Sequence, residues 1–118
     1  MVIDDINDVE NFLSDFFQKK KIWDIRFENR QKNTQALFDL ELASNDRIKI
    51  IDSLKAIDYG EGPNKDNMGI QSDMWIFGKT INESEVYIKI NMGNVNNPVI
   101  CISSHLSEKP MNYPFKTS

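Results

Sequence analysis

The chain has 118 residues, of which 40% are hydrophobic and 27% are charged, and its formal net charge at pH 7 is −4. This size and composition predict one soluble domain over residues 1–118, and no apolar run approaches the roughly 20 residues needed to cross a membrane. The acidic balance excludes a generally basic surface for nucleic acid, so that any RNA site is expected to be local.

Residues 1–58 carry helical patterns around one short strand. Apolar residues recur at helical spacing from about Asp5 to Lys19, and Asp4 or Asp5 is placed to cap this helix. Residues 22–28 then alternate apolar and polar side chains, which predicts an edge strand with one wet face.

Two short helices and a long loop are predicted next. The helices are expected over residues 34–41 and after a cap at Ser44 or Asn45. Residues 59–72 contain three glycines and a proline without any hydrophobic period, which predicts a loop without secondary structure. Such a loop is either a surface excursion or a binding loop.

Three strand-like runs occupy residues 73–106, and a polar turn at residues 82–84 joins the first two as a hairpin. Two registers are open for this hairpin. We favour the one that places Trp75 and Phe77 on the core side, because each buried ring contributes roughly 1.5 to 3 kcal/mol. That register leaves Lys79 near the rim, where its long side chain is expected to bend towards Tyr87.

The second and third strands set polar residues on one face of the sheet. Apolar and polar side chains alternate in residues 85–91, and residues 98–105 divide in the same way. A pairing that joins Ile100 and Ile102 to the isoleucines of the neighbouring strand hides one apolar layer. The other face then gathers four side chains, those of Tyr87, Lys89, Ser103 and His105.

The last segment, residues 107–118, is too rich in proline for a helix. Its aromatic residues Tyr113 and Phe115 are expected to cover a sheet edge or an opening of the core. Together the elements predict an α+β fold with a small antiparallel sheet of three to four strands and helices packed on one face.

Several chemistries lack their usual residues in this chain. It has one histidine, one cysteine and no glycine-rich phosphate loop, so that neither a metal site nor a cofactor is predicted. Cys101 and His105 stand four strand residues apart, about 13 Å, which is too far for a cysteine protease pair. The single cysteine and a start without a secretion signal predict a cytoplasmic protein.

The polar face carries groups that can cleave RNA without a metal ion. In this reaction the ribose 2′-hydroxyl attacks the adjacent phosphorus, one proton is removed, another is supplied to the 5′-oxygen, and the phosphoryl oxygens are stabilised. We assign proton transfer to His105, a second proton transfer or base stacking to Tyr87, and phosphate binding to Lys89 with Lys79. Ser103 on the same face is expected to contact RNA. The alternative is a solvated sheet surface without chemistry.

Four segments resemble one family of bacterial proteins. Leu54-Lys-Ala-Ile-Asp-Tyr59, Met74-Trp75, Val86-Tyr-Ile-Lys-Ile90 and Val99-Ile-Cys-Ile-Ser-Ser-His105 look like the MqsR family of toxins. The resemblance spans roughly residues 34–105 and implies a RelE-like fold, a toxin of a type II toxin-antitoxin system that cuts mRNA, and a cognate antitoxin as partner. The alternative from another class is a RelE-like protein-binding module without catalysis.

Carried over by position, Tyr87 matches the catalytic tyrosine of that family and Lys89 the lysine two residues later. His105 stands where the family has a basic residue at the end of the last strand. The family's catalytic lysine aligns with Glu61 and its catalytic glutamine with Ile76. The resemblance therefore implies that Lys65 or Lys79 supplies the missing positive charge to RNA.

Overall fold

The computed structural model describes residues 2–65 and 72–116, which form a five-stranded sheet with helices packed on it. The elements are α1 (Ile6–Trp23), β1 (Ile25–Phe27), α2 (Gln31–Asp39), α3 (Asp46–Asp52), a short 3₁₀ turn (Ala56–Asp58), β2 (Tyr59–Asn64), β3 (Met74–Ile81), β4 (Ser84–Asn91) and β5 (Val99–Leu106). The strand order is β1-β5-β4-β3-β2, with β1 and β5 parallel and the other pairs antiparallel. The predicted α+β class is confirmed, but the sheet is mixed and has more strands than the three to four expected. None of the described helices is long and apolar enough to cross a membrane.

Helix α1 begins as predicted and ends later. The Asp5 carboxylate caps it by accepting a hydrogen bond of 2.9 Å from the Asn7 backbone N–H. The helix continues to Trp23, where a strand had been expected, and stops at Asp24, whose φ of 70° leaves the helical region. The strand that follows is therefore short, but it lies at the edge of the sheet as predicted.

Strand β2 lies inside the segment predicted to be a structureless loop, so that prediction is wrong for residues 59–64. The strand pairs with β3 through two register shifts, and such irregular pairing leaves no alternation of apolar residues to recognise. Gly62 has a φ of +119°, and a Cβ there would lie 2.8 Å from the carbonyl oxygen of Met74. Glycine is therefore required by the strand pairing itself. The remainder of the predicted loop, residues 66–71, lies outside the described residues.

The β3–β4 hairpin adopts the register favoured by aromatic burial. Ile81 pairs with Ser84 across a two-residue loop, and both loop residues have positive φ. Phe77 pairs with Ile88 and is completely buried, which confirms the core-facing register.

The pairing of β4 with β5 follows the predicted register only near the C-terminal end of β5. Tyr87 lies opposite His105 and Lys89 opposite Ser103, as expected. Between Lys89 and Ile90 the register shifts by one residue, which makes Ile102 the extra residue of a bulge.

This bulge overturns the predicted apolar layer of isoleucines. Cys101, not Ile102, pairs with Ile90, and Val99 and Cys101 join the main core cluster. Ile100 and Ile102 are also buried, but they lie outside that cluster. The reason lies in the sequence of β5, which is apolar at every position from 99 to 102 and so does not fix its own register.

Beyond the end of β1, a side chain of helix α2 binds the backbone groups of β5 that face away from β4. The Asn33 side chain donates to the Ile102 carbonyl at 3.0 Å and accepts from the Ser104 backbone N–H at 2.9 Å. The buried amide thereby takes the place of a neighbouring strand, and it fixes α2 beside the polar end of β5.

The core lies on the sheet face opposite the predicted polar face. Its buried residues come from α1, α3 and the strands, and they include Val9, Phe12, Phe16, Ile50, Ile51, Phe77, Val86, Ile88 and Ile90. The aromatic part is layered, since the Trp75 ring stacks on Phe12 at 4.2 Å. The other sheet face is therefore available for a site.

Candidate functional site

A cleft of about 810 Å³ lies on the polar face of the sheet. Its floor is formed by β2 to β5, and its walls are formed by the start of α2 and by the C-terminal segment. The floor residues are Gly60, Glu61, Ile76, Tyr87, Lys89, Ser103 and His105, and the wall residues include Arg30, Lys32, Lys109 and Met111. This volume is in the range of protein ligand sites.

Tyr87 and His105 form a stacked pair within the cleft. They are cross-strand neighbours on β4 and β5, and their ring centroids lie 5.2 Å apart with an angle of 19° between the planes. Stacking on a directly paired residue restricts the rotation of both rings. The phenol and the imidazole are thus held in fixed relative positions.

The imidazole of His105 is oriented by the main chain. Its Nδ1 lies 3.0 Å from the carbonyl oxygen of Leu106, which can only accept a hydrogen bond. Nδ1 therefore carries a proton in this arrangement, and Nε2 is the atom through which protons can be exchanged.

Lys89 lies beside the stacked pair. Its Nζ is 6.0 Å from the centroid of the Tyr87 ring, and no described carboxylate lies within ion-pair distance of it. Ser103, opposite Lys89 in the register, lines the same cleft but is only 3% exposed. The structure therefore brings four predicted residues together. Ser103 is buried in the floor of the cleft and offers little surface for contact with a ligand.

The phenol of Tyr87 is held in its neutral form. Burial raises its pKa, and the negative charge of Glu61 raises the pKa further. At neutral and mildly alkaline pH the hydroxyl keeps its proton. Tyr87 is therefore suited to donate a hydrogen bond or a proton, and it is unsuited to act as a base.

Glu61 is the main cleft residue for which the residue pattern gave no role. It pairs with Ile76 on β3, Ile76 pairs with Lys89, and Lys89 pairs with Ser103, so that the four residues form one row across the sheet. The sequence pattern predicts a loop at Glu61, so its position in the site could not be derived. The signal that could have found it was the resemblance, which matches Glu61 and Ile76 to positions that are catalytic in the MqsR family.

The cleft is more basic than the chain as a whole. Four lysine or arginine side chains line it against two carboxylates, those of Glu61 and Glu108. Glu108 forms an ion pair with Lys32, and Arg30 pairs with Glu28 at 3.0 Å. Lys89 and Lys109 are therefore the two lining cations that form no ion pair among the described residues, and they give the cleft a small excess of positive charge.

Lys79 does not belong to the cleft, and the expectation that it bends towards Tyr87 is wrong. It pairs with Val86, so its side chain leaves the sheet on the opposite face. Its ammonium donates to the Asp58 carboxylate at 3.1 Å and to the Ser53 carbonyl at 3.2 Å. The favoured hairpin register itself imposes this position. Lys79 lies two residues after the core-facing Phe77, and side chains two residues apart on a strand share one face of the sheet.

Lys65 is also separate from the site. It lies just beyond the end of β2, is exposed, and is not among the residues that line the cleft. The structure thus brings neither of the two lysines proposed as substitutes to the Tyr87–His105 pair.

The C-terminal segment, residues 107–116, forms one wall of the cleft and is tied to the sheet by one carboxylate. Glu85 accepts hydrogen bonds from the Met111 backbone N–H at 2.9 Å and from the Tyr113 hydroxyl at 2.8 Å. The Phe115 ring packs at 5.7 Å from the Tyr59 ring. Phe115 packs against the core, as predicted, whereas Tyr113 lies over Gly78 of the inner strand β3 and not at a sheet edge. The role of this segment in shaping a cleft was not predicted.

Comparison of the chain with protein-family models, with curated proteins and with solved structures finds no match. Within residues 2–65 and 72–116, no three histidine, cysteine or acidic side chains come together in a way that could hold a metal ion. The functional interpretation accordingly depends on the chemistry of the cleft and on the sequence resemblance.

Proposed function

We propose that this protein is the toxin of a type II toxin-antitoxin pair and that it cleaves mRNA as a metal-independent endoribonuclease. The observation that carries the proposal is the convergence of His105, Tyr87 and Lys89 in one cleft. Proton exchange, hydrogen-bond donation and positive charge are the three functions that RNA cleavage by 2′-hydroxyl attack needs.

Each residue has a role that follows from its surroundings. His105 exchanges a proton through Nε2, because Nδ1 is bound to the Leu106 carbonyl. The neutral Tyr87 hydroxyl donates to a phosphoryl oxygen or to the leaving oxygen. Lys89 stabilises the negative charge that develops on the phosphoryl oxygens, and the wall residue Lys109 extends the attraction for the RNA backbone.

The resemblance to the MqsR family adds support from a different direction. The positions matched to its catalytic residues are Glu61, Ile76 and Tyr87, and all three line one cleft together with Lys89. Residues matched only through sequence order need not share a site. A RelE-like arrangement of the α+β fold and a small antitoxin as partner are part of this proposal.

A non-catalytic protein-binding module with the same fold is the second candidate. It is favoured by the net charge of −4 and by glutamate and isoleucine at positions where the family has lysine and glutamine. In that case the cleft would contact a protein partner and no RNA would be cut.

Expression of the chain in bacteria without any antitoxin distinguishes these two functions. We expect wild-type protein to arrest growth and to fragment transcripts, and we expect His105→Ala to relieve both effects while accumulating as folded protein. Unchanged growth and intact transcripts with abundant wild-type protein would support the binding module and contradict the nuclease.

A further inference from the structure

We infer that Glu61 is the base that accepts the 2′-hydroxyl proton of RNA, which makes His105 the acid that protonates the leaving 5′-oxygen. The inference rests on the proposed nuclease function and divides its two proton transfers between two residues. Neither the residue pattern nor the family resemblance assigns this role to Glu61.

Two groups on the cleft floor can accept a proton. Lys89 supplies positive charge, and the hydroxyl of Tyr87 keeps its proton because of its burial and the nearby Glu61 charge. The remaining groups that can accept a proton are Glu61 and His105. With Tyr87 as hydrogen-bond donor to a phosphoryl oxygen, we assign proton acceptance to Glu61 and proton donation to His105.

The Glu61 carboxylate lies in the same cleft as Lys89 without pairing with it. Glu61 and Lys89 lie in the same cross-strand row with Ile76 between them, so that their Cα atoms are about 10 Å apart at the usual strand spacing. The two opposite charges form no ion pair with each other, nor does Glu61 with any other described residue. No described cation therefore neutralises the carboxylate through an ion pair.

The Glu61 carboxylate has one polar and one apolar neighbour. The Asn64 side-chain amide lies 3.4 Å from Glu61 Oε2 as a donor, while Ile76, which is 4% exposed, forms the apolar floor beside it. Glu61 is thus oriented at the floor of the cleft by a hydrogen bond. The other titratable and charged groups that line this cleft are Tyr87, Lys89, His105, Arg30, Lys32, Glu108 and Lys109.

The resulting step balances without any further reactant. The proton of the 2′-hydroxyl moves to the Glu61 carboxylate as the bond between the 2′-oxygen and phosphorus forms. The bond between phosphorus and the 5′-oxygen breaks, and the 5′-oxygen takes the proton from His105 Nε2. The products are a 2′,3′-cyclic phosphate and a free 5′-hydroxyl, and exchange with water restores both side chains.

The test uses two substrates that differ in whether the leaving group needs a proton. One is an RNA oligonucleotide, and the other is uridine 3′-(4-nitrophenyl phosphate), whose nitrophenolate leaves without an acid. Glu61→Gln is expected to lower the rate on both substrates by about 10²- to 10⁴-fold. His105→Ala is expected to lose activity on RNA but to retain most of it on the nitrophenyl ester.

Controls keep the outcomes separate. Glu61→Asp should recover part of the activity, and Glu10→Gln, an exposed substitution on α1 outside the cleft, should leave it unchanged. Circular dichroism and thermal unfolding show whether each variant is folded. Cleavage of RNA by folded Glu61→Gln at the wild-type rate, or retention of its activity on the nitrophenyl ester, would overturn the inference alone. Failure of wild-type protein to cleave either substrate would overturn the proposed function and the inference with it.

Discussion

The phenol of Tyr87 and the imidazole of His105 lie almost parallel, 5.2 Å apart, on directly paired residues of two strands. The Tyr87 ring contacts the face of the imidazole, and the Leu106 carbonyl binds its Nδ1. Two independent contacts therefore restrict the imidazole, and Nε2 forms no hydrogen bond with the described residues.

Removing only the hydroxyl of Tyr87 separates the stacking role of the ring from its role as a donor. Tyr87→Phe keeps the stacked pair, so the fold and His105 should be undisturbed. We expect RNA cleavage to fall by about 10²-fold, the usual effect of losing one preorganised donor to a phosphoryl or oxyanion oxygen. Thermal unfolding of Tyr87→Phe, which should match that of wild type, is the control for the fold. Equal activity of Tyr87→Phe and wild type would show that the hydroxyl takes no part.

Neutralising Glu61 should change the titration of Tyr87. A negative charge near a phenol disfavours the phenolate and raises the phenol pKa, so its removal in Glu61→Gln should lower the pKa of Tyr87. Burial remains, and the pKa should therefore stay above the ordinary value of about 10. Tyrosinate absorbance, measured as the difference from a Tyr87→Phe background, gives this pKa. A pKa that stays the same or rises would mean that Glu61 and Tyr87 do not interact.

The two lysines assigned to phosphate before the structure was known should behave in opposite ways. Lys79→Met removes the main ionic partner of the buried Asp58 carboxylate, and we expect a loss of about 1.5–3 kcal/mol in the free energy of unfolding. Cleavage per folded molecule should not change. Lys89→Met should leave stability within about 0.5 kcal/mol, because Lys89 has no ionic partner among the described residues, and should abolish most cleavage.

Urea unfolding and RNA cleavage, measured on both lysine variants, check this dissociation. Loss of catalysis in folded Lys79→Met would contradict the placement of Lys79 on the core side of the sheet. Full activity of Lys89→Met would contradict the role of Lys89 at the phosphate.

Gly78 keeps the C-terminal segment against the sheet because it has no side chain. A Cβ at this position would lie 2.3 Å from the Tyr113 hydroxyl oxygen and 2.7 Å from Met111 Sδ. Gly78→Ala should therefore displace the segment and destabilise the protein by about 1–3 kcal/mol, as overpacking usually does. At Gly60 the nearest atoms lie at 3.4 Å, so that Gly60→Ala is the milder control. Limited proteolysis of the C-terminal segment should be faster in Gly78→Ala only; equal rates would contradict this packing.

The central part of the candidate site could be predicted from the sequence because successive side chains of a strand lie on alternate faces of the sheet. The period of two placed Tyr87 and Lys89 opposite the isoleucines, and Ser103 and His105 followed by the same rule. Burial of aromatic area was sufficient to choose the hairpin register, and that register moved Lys79 away from the site. The long reach of a lysine side chain did not offset its position on the other face.

The surroundings of the site depend on tertiary contacts that leave no local pattern. Residues 59–64 have glycines where a regular strand would have apolar residues, so β2, and with it Glu61, could not be recognised. The bulge at Ile102 is invisible in a run of four apolar residues. Helix α2 is held beside the cleft by the side chain of Asn33, which binds the backbone of β5. The C-terminal segment is held there by the side chain of Glu85 on β4, which binds its backbone. In both cases the two partners lie far apart in sequence.

Incubation of a defined RNA with purified protein in the presence of a chelator tests the central claim most directly. The account predicts fragments with 2′,3′-cyclic phosphate and 5′-hydroxyl ends from wild-type protein, and intact RNA with folded His105→Ala. Intact RNA with wild-type protein, or fragments that His105→Ala produces equally well, would contradict it.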